Sequence, residues 1–389
     1  MNMQCLVLAA CQSHSRITAN PEATQALHLL RSELGTGARW QFVEHGDTPP
    51  WEALQEAFLS IPPGVTRVLL VPNPWILLAP GTLRALHATL DDNPSLHAVC
   101  PPLLDWTRYE AAGNPQCLEA LRALADSCDS KFWAHEDGKP FLALVRTNLP
   151  HPSATEIRLQ LAEMLTRIHT VPRTCVAVLP PFHGSARLEV LPLVPAEART
   201  LLDLGCGDGS FGARVQSLTG ARVTGIESNR EAALKASHRL HRVLADDLAT
   251  VRLAERFDVV TALDILEHLP DPEAALHRIR DEWLVPGGTL ITSLPNSGHW
   301  SVVVELLAGR CTPLPSGVLC ITHRRLFTPQ SAAHWLESHG FRLRAEHPVR
   351  STVPPSVAEA LRAAESHGMN IAWDSLATIQ CVHVMQTHP

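Results

Sequence analysis

The stretch Leu201–Gly212, LLDLGCGDGSFG, constrains the fold more than any other part of the chain. An apolar run ends at Asp203-Leu204, glycines follow at alternate positions (Gly205, Gly207, Gly209), and a helix-forming segment opens near Phe211. Glycine at a strand-to-helix turn permits positive φ and lets a ligand approach the backbone closely. A strand that feeds a helix in this way belongs to a largely parallel sheet covered by helices. Such a turn can also hold a pyrophosphate at the helix N-terminus. Asp203 before the loop and Asp208 inside it disfavour an anion and suit a cationic ligand. Glu227 ends the next apolar run, RVTGIESN, where its carboxylate is placed to accept from both hydroxyls of a ribose.

The alternation of strand and helix occurs twice along the 389 residues. In the first half, apolar strands are expected at Cys5–Ala10, Trp40–Val43, Val68–Val71, Ala98–Cys100, Phe141–Val145 and Cys175–Leu179. Helical periodicity marks Pro21–Leu34, Trp51–Ile61, Pro80–Leu90 and Ala154–Arg167. The proline-rich stretch LPPFHGSARLEVLPLVPAEA interrupts the pattern near residue 190. In the second half, strands are expected at Thr200–Leu204, Arg222–Ile226, Phe257–Ala262, Thr289–Leu294, Phe341–Ala345 and Ile379–Met385. The expected organisation is α/β with two doubly wound domains, residues 1–185 and 199–389, joined by a linker at 186–198.

Composition narrows the partners. A formal net charge of −7, with no Lys/Arg run longer than Arg324-Arg325, argues against a nucleic-acid surface. Ten cysteines without a C-x-x-C pair fit free thiols better than a disulfide framework or a zinc site. Leu8-Ala9-Ala10-Cys11 has the form of a lipoprotein cleavage site, yet no cation precedes it and the apolar run is short, so it reads as a first buried strand. No apolar stretch approaches the length of a membrane span. The expectation is a cytoplasmic protein; the sequence does not give its oligomeric state.

The glycine loop together with Glu227 resembles the class I S-adenosylmethionine-dependent methyltransferases, over roughly residues 195–389. The resemblance implies a Rossmann-like seven-stranded domain with S-adenosyl-L-methionine as cofactor. It implies that Gly205, Cys206, Gly207 and Gly209 pack against the methionine part, with Asp203 near its ammonium group. Glu227 and Ser228 would meet the ribose. In VLADDL, Asp247 would meet the adenine amino group beside Leu248, with Asp246 as the alternative. FDVVTALDILEHLPDP resembles the fourth strand and its following loop, bringing Leu263 and Asp264 to the cofactor, and WLVPGGTLITSLPN resembles the fifth strand. The later segment LPNSGHW…CITHRRLF is similar to methyltransferases of polysaccharide and glycosyl-transfer systems, which implies a small-molecule or glycan-type acceptor.

A sulfonium methyl is already activated, so transfer gains most from orientation and exclusion of water. A general base helps when the acceptor loses a proton. The candidates are His268, His299 and His323. Asp264, Glu267, His268 and His323 also echo the set by which small-RNA 2′-O-methyltransferases hold a divalent ion. Asp264 stands where those enzymes have glutamate and the net charge is acidic, so no metal is expected.

In the first half, TRVLLVPNPWILLAPGTLRALHATLDDNPSLHAVCP, LALVRTNL and SATEIRLQLAEMLTRIHTVPRTCVAVLP resemble GT-A-type glycosyltransferases. Those enzymes hold a divalent metal on aspartates where this chain has Asn73-Pro74-Trp75, one neutral carbonyl and no charge. Glu156 is the only carboxylate near the start of the corresponding helix, and the nearest cations are Arg67 and Arg84. The expectation is a degenerate transferase fold that docks the acceptor, with a bifunctional glycosyltransferase/methyltransferase, a protein that binds a sugar nucleotide or partner, or an unrelated α/β domain as the alternatives.

Overall fold

The computed structural model describes residues 5–11, 21–34, 38–45, 48–62, 65–72, 76–79, 81–102, 142–146, 168–171, 176–178 and 186–387. The chain divides into two compact units, the first comprising Met1–Leu179 with Val304–Thr322, the second Pro180–Val303 with His323–Pro389. The division is therefore not a single cut. Among the described residues no helix is long and apolar enough to cross a membrane.

The first unit is built on a six-stranded sheet of order β2-β1-β3-β6-β5-β7. Its strands are β1 Cys5–Cys11, β2 Arg39–Glu44, β3 Arg67–Val71, β5 Ala98–Cys100, β6 Ala143–Arg146 and β7 His169–Thr170, while β4 Ile76–Leu78 pairs with β8 Val176–Val178. β1 is parallel to β2 and β3, and β6 runs antiparallel to β3 and β5. Because strand side chains alternate, β1 feeds two cores. Cys5, Val7 and Ala9 pack with Leu30 and with Leu83, Leu86 and Leu90. Leu6, Leu8 and Ala10 pack with Trp51, Leu54 and Phe58. Helices Pro21–Leu34 and Thr82–Asp92 thus cover one face and helix Pro50–Phe58 the other. Gln25 donates to the Pro313 carbonyl at 2.6 Å, fastening the 304–322 segment within this unit. Arg67 is buried at the start of β3 and committed to His87 Nδ1 (2.7 Å) and Asp91. Asn73-Pro74-Trp75, Glu156 and the expected helix Ala154–Arg167 lie outside the described residues.

The second unit is a seven-stranded sheet of order β11-β10-β9-β12-β13-β15-β14. The strands are β9 Thr200–Leu204, β10 Arg222–Ile226, β11 Arg242–Leu244, β12 Phe257–Leu263, β13 Leu284–Pro295, β14 Phe341–Arg350 and β15 Thr378–Thr387. All run parallel except β15, which is antiparallel to both neighbours. Leu202, Leu204, Val260 and Leu290 point to one face, under helices Pro272–Arg278 and Pro329–Ser338. Leu201, Val223, Val259 and Ile291 point to the other, under helix Ser210–Thr219. Val190, Val194 and Ala198, read from sequence as linker, are buried in that second face. The strand order reverses between β9 and β12, which opens a crevice at their carboxyl ends.

Candidate functional site

Every element entering that crevice contributes a charged or glycine residue. Gly205, Gly207 and Gly209 all have positive φ, as a turn from β9 into helix Ser210–Thr219 requires. The loop is tied back to β10 by Gly205 and Cys206, whose N–H groups both donate to the Ile226 carbonyl, at 2.9 and 3.1 Å. Gly209 is required by close approach: a Cβ there would lie 3.0 Å from the Cα of Ala236. Cys206 turns its side chain inward, where a Cβ on Gly225 would come within 2.4 Å of its sulfur. Only the backbone of Cys206 is therefore left to line a cofactor.

Glu227 is buried, and its carboxylate accepts from Gly207 N (2.9 Å) and Asn229 N (2.7 Å). Each oxygen keeps a further acceptor site. Asp203 is buried beneath the loop and accepts from Thr261 Oγ1 at 2.6 Å. Burial pushes its carboxyl up to about 7, against the Thr261 hydrogen bond and the charge of Arg187, which pull it down. Asp208 does not share that role. Its carboxylate caps Ser210 N at 3.0 Å and pairs with Arg239 at 2.5 Å.

At the end of β11, Asp246 accepts from Asp247 N (2.8 Å) and Thr250 Oγ1 (3.2 Å), while Asp247 accepts from Ala249 N at 2.7 Å. Both aspartates are exposed, as is Ser228, and Leu248 is half-buried, its carbonyl held by Arg278.

The end of β12 is differently built. Leu263 and Asp264 are half-buried, and Asp264 has φ 53°, a region that L residues rarely adopt. Its carboxylate accepts from Arg187 (2.5 Å), Ser293 Oγ (2.9 Å) and Gln380. Arg187, itself at φ 44°, also donates to Glu189, Ser293 and Gln380. Burial would push the Arg187 guanidinium down, but the charges of Asp264 and Glu189 raise it above its usual value. Sequence reasoning missed Arg187, which lies in the proline-rich stretch with no local signal; its partners are 77 and 193 residues away. Ile265 overhangs the loop, since a Cβ on Gly205 would come within 2.7 Å of its terminal carbon.

Of the three histidines proposed as bases, His268 and His323 come together, ring centroids 4.7 Å apart and edge to face. Both are half-buried. His299 is elsewhere in character: it is buried, with Nδ1 2.8 Å from Ser301 Oγ and Nε2 2.7 Å from Ser351 Oγ. Burial lowers it to about 4. With both nitrogens engaged inside the fold, His299 suits a structural position and not a base. Beside the other two lies Glu267, fully buried, with no hydrogen-bond partner for either carboxylate oxygen on another described residue. Burial first, then the charge of Asp264, raises its carboxyl well above the usual range. Glu267, His268 and His323 each offer a ligand atom within 4.8 Å of the others.

Residues 182–346 match a family model described as a methyltransferase domain. Curated relatives include the ubiquinone biosynthesis O-methyltransferase of Alkalilimnicola ehrlichii, 34% identical over 163 residues, covering 38% of this chain and 63% of that protein. The enzyme of the same name from Xanthomonas axonopodis pv. citri is 33% identical over 174 residues, covering 41% and 66%. The chain therefore spans less than two thirds of the length of these relatives. A solved S-adenosylmethionine-dependent methyltransferase from Archaeoglobus fulgidus aligns over 53% of this chain and 96% of its own, at 16% identity and a TM-score of 0.38.

Proposed function

From the premise that the second unit carries a class I S-adenosylmethionine-dependent methyltransferase domain, with S-adenosyl-L-methionine as its cofactor, we propose that the chain methylates a hydroxyl oxygen of a small-molecule acceptor. The observation that carries this reading is the half-buried imidazole pair His268 and His323, ring centroids 4.7 Å apart, in a unit whose crevice holds the buried carboxylates Asp203 and Glu227. The two carboxylates suit the ammonium and ribose of the cofactor, and an imidazole suits the proton of a hydroxyl. The cofactor supplies an electrophilic methyl group. The chain does the rest: Asp203 holds the ammonium and Glu227 takes the ribose on its remaining acceptor sites, while Arg187, engaged by Asp264, Glu189, Ser293 and Gln380, braces the end of β12. The positive-φ glycines shape the turn that presents the loop's backbone to the crevice. His268 or His323 takes the proton that a hydroxyl loses. The sequence allows a small-molecule or a glycan-type acceptor; the relatives are named for ubiquinone biosynthesis, which favours the small molecule. Incubating the protein with S-adenosylmethionine and separate panels of phenols, alcohols and sugars, with S-adenosylhomocysteine as the readout, tests the reading. Turnover confined to the sugars would overturn the acceptor class.

One observation favours a second reading of the same site. A carboxyl buried without a partner is costly, and among the described residues the Glu267 carboxylate has no partner beyond its own backbone, with two imidazoles beside it. A divalent cation bound by Glu267, His268 and His323 would satisfy it, contrary to the expectation of no metal. The cation would hold an acceptor oxygen and favour its deprotonation. Chelation separates the two: the metal reading requires activity to fall with EDTA and return with Mg²⁺, Mn²⁺ or Co²⁺, whereas a histidine base alone is indifferent.

For the first unit the proposal is acceptor docking by a degenerate transferase-like domain. Its support is chemical: Asn73-Pro74-Trp75 carries no carboxylate, and Arg67 is already committed within the fold. Turnover of any sugar nucleotide by the full chain would refute it.

A further inference from the structure

A second group of metal-ligating side chains lies away from the crevice, on the two strands at the β14 edge. Cys381 and His383 stand two apart on β15 and so share a face. Glu346 is paired directly with His383 across the ladder. A register shift in β14 places it there: Leu343 pairs with Met385, but Ala345 pairs with Val384, so one residue is added between them. Simple alternation would have put Ala345 on the face of His383; the bulge puts Glu346 there instead. The three side chains bring one sulfur, one imidazole nitrogen and one carboxylate oxygen within 4.8 Å of one another.

The imidazole is poised in the way a ligand is. His383 is fully buried, and its Nε2 lies 3.2 Å from the Pro329 carbonyl, which fixes the proton on that nitrogen, and 3.5 Å from Glu346. Its Nδ1 is buried with no hydrogen-bond partner among the described residues. A backbone carbonyl holding one ring nitrogen while the other keeps its lone pair is the usual support of a metal-bound histidine. The Glu346 carboxylate, which lies beside Nε2, must turn to the Nδ1 side to share an ion with it, and its exposure leaves it free to do so. Cys381 is buried too, and burial, then the charge of Glu346, pushes its thiol up to about 12. The Glu346 side chain is 41% exposed, which leaves a path for the ion and a solvent position in its coordination.

We propose that Cys381, His383 and Glu346 form a binding site for a divalent transition ion of the zinc class, stapling β14 to β15. Thiolate, imidazole and carboxylate together select zinc over magnesium or calcium, which take oxygen ligands. Binding deprotonates the thiol and releases its proton to solvent. The residue next to Cys381 is Gln380, whose amide bonds Asp264 and Arg187; a staple here steadies the strand that backs the cofactor crevice.

Cobalt(II) added to the metal-free full-length protein under a phosphine reductant tests this. The site at Glu267, His268 and His323 has no sulfur, so a thiolate-to-cobalt charge-transfer band sets the two sites apart, and C381S sets Cys381 apart from the chain's other cysteines. The band should saturate at equimolar cobalt, disappear on addition of zinc, and be lost in C381S. E346A changes the exposed ligand and leaves the core side chains in place; it should weaken cobalt binding by roughly tenfold or more. Absence of the band in the wild-type protein overturns the site, as does a band that C381S and E346A both leave unchanged.

Discussion

The two sides of the crevice are finished to different degrees. On the β9–β10 side every polar group is answered from within: Glu227 takes two backbone N–H groups, Asp208 takes Ser210 and Arg239, and Asp203 takes Thr261. At the end of β12, Asp264 sits at positive φ, and the buried Glu267 carboxylate has no hydrogen-bond partner on another described residue. Satisfied polar networks rigidify a site, and unsatisfied buried groups cost stability unless a ligand answers them. Under the proposed function, the first side holds a cofactor of fixed shape and the second meets the reacting acceptor.

The largest effect expected of that division is on turnover. The H268Q/H323Q double variant should lower kcat by ~10²–10⁴-fold, the range seen for loss of a group that handles the acceptor proton, while cofactor affinity stays within about twofold. A matching loss of cofactor affinity would break the comparison, since the two histidines would then belong to the other side.

The next effect is on affinity. E227A removes the acceptor of two buried N–H groups as well as the proposed ribose contact, so cofactor binding should weaken by ~1–3 kcal/mol. Measured kcat at saturating cofactor should change far less. A collapse of kcat at saturation would merge the two sides into one.

A third test uses pH. Asp203 is held near 7 in the fold, so below that pH it is mostly protonated and a cationic ligand must displace the proton. Cofactor affinity should therefore rise as pH rises through about 7, by up to ~tenfold per unit, and level off above. D203N should flatten that slope. A slope that persists in D203N would assign the proton to another group.

How far the sequence reveals these features follows from how local their causes are. β9 and β10 occupy the expected residues Thr200–Leu204 and Arg222–Ile226, because a buried central strand is a run of apolar side chains. β11, Arg242–Leu244, was not expected; it is three residues long at the sheet edge, with none of them buried, so it carries no apolar signal. The glycine loop is legible because positive φ selects glycine at each position. Arg187 is not, since its role depends on Asp264 and Gln380 arriving from elsewhere in the chain. His299 looked like a base because the sequence shows an imidazole but not Ser351, 52 residues on, that closes it off.

The smallest functional effect is expected at that histidine. H299Q should lower stability by ~1–3 kcal/mol through lost buried hydrogen bonds, read as a fall in Tm, with kcat/KM within about twofold of wild type once folded. A large loss of kcat without a loss of Tm would return His299 to the list of bases.

The central claim, that the crevice at the switch point is the cofactor site, is tested most directly by calorimetric titration with S-adenosylhomocysteine above pH 7. This product keeps the ammonium and the ribose that Asp203 and Glu227 are proposed to hold. The account predicts equimolar binding by the wild-type chain and loss of measurable heat in the D203N/E227Q double variant, whose fold is checked by circular dichroism. Equal affinity in the wild type and a folded double variant would contradict it.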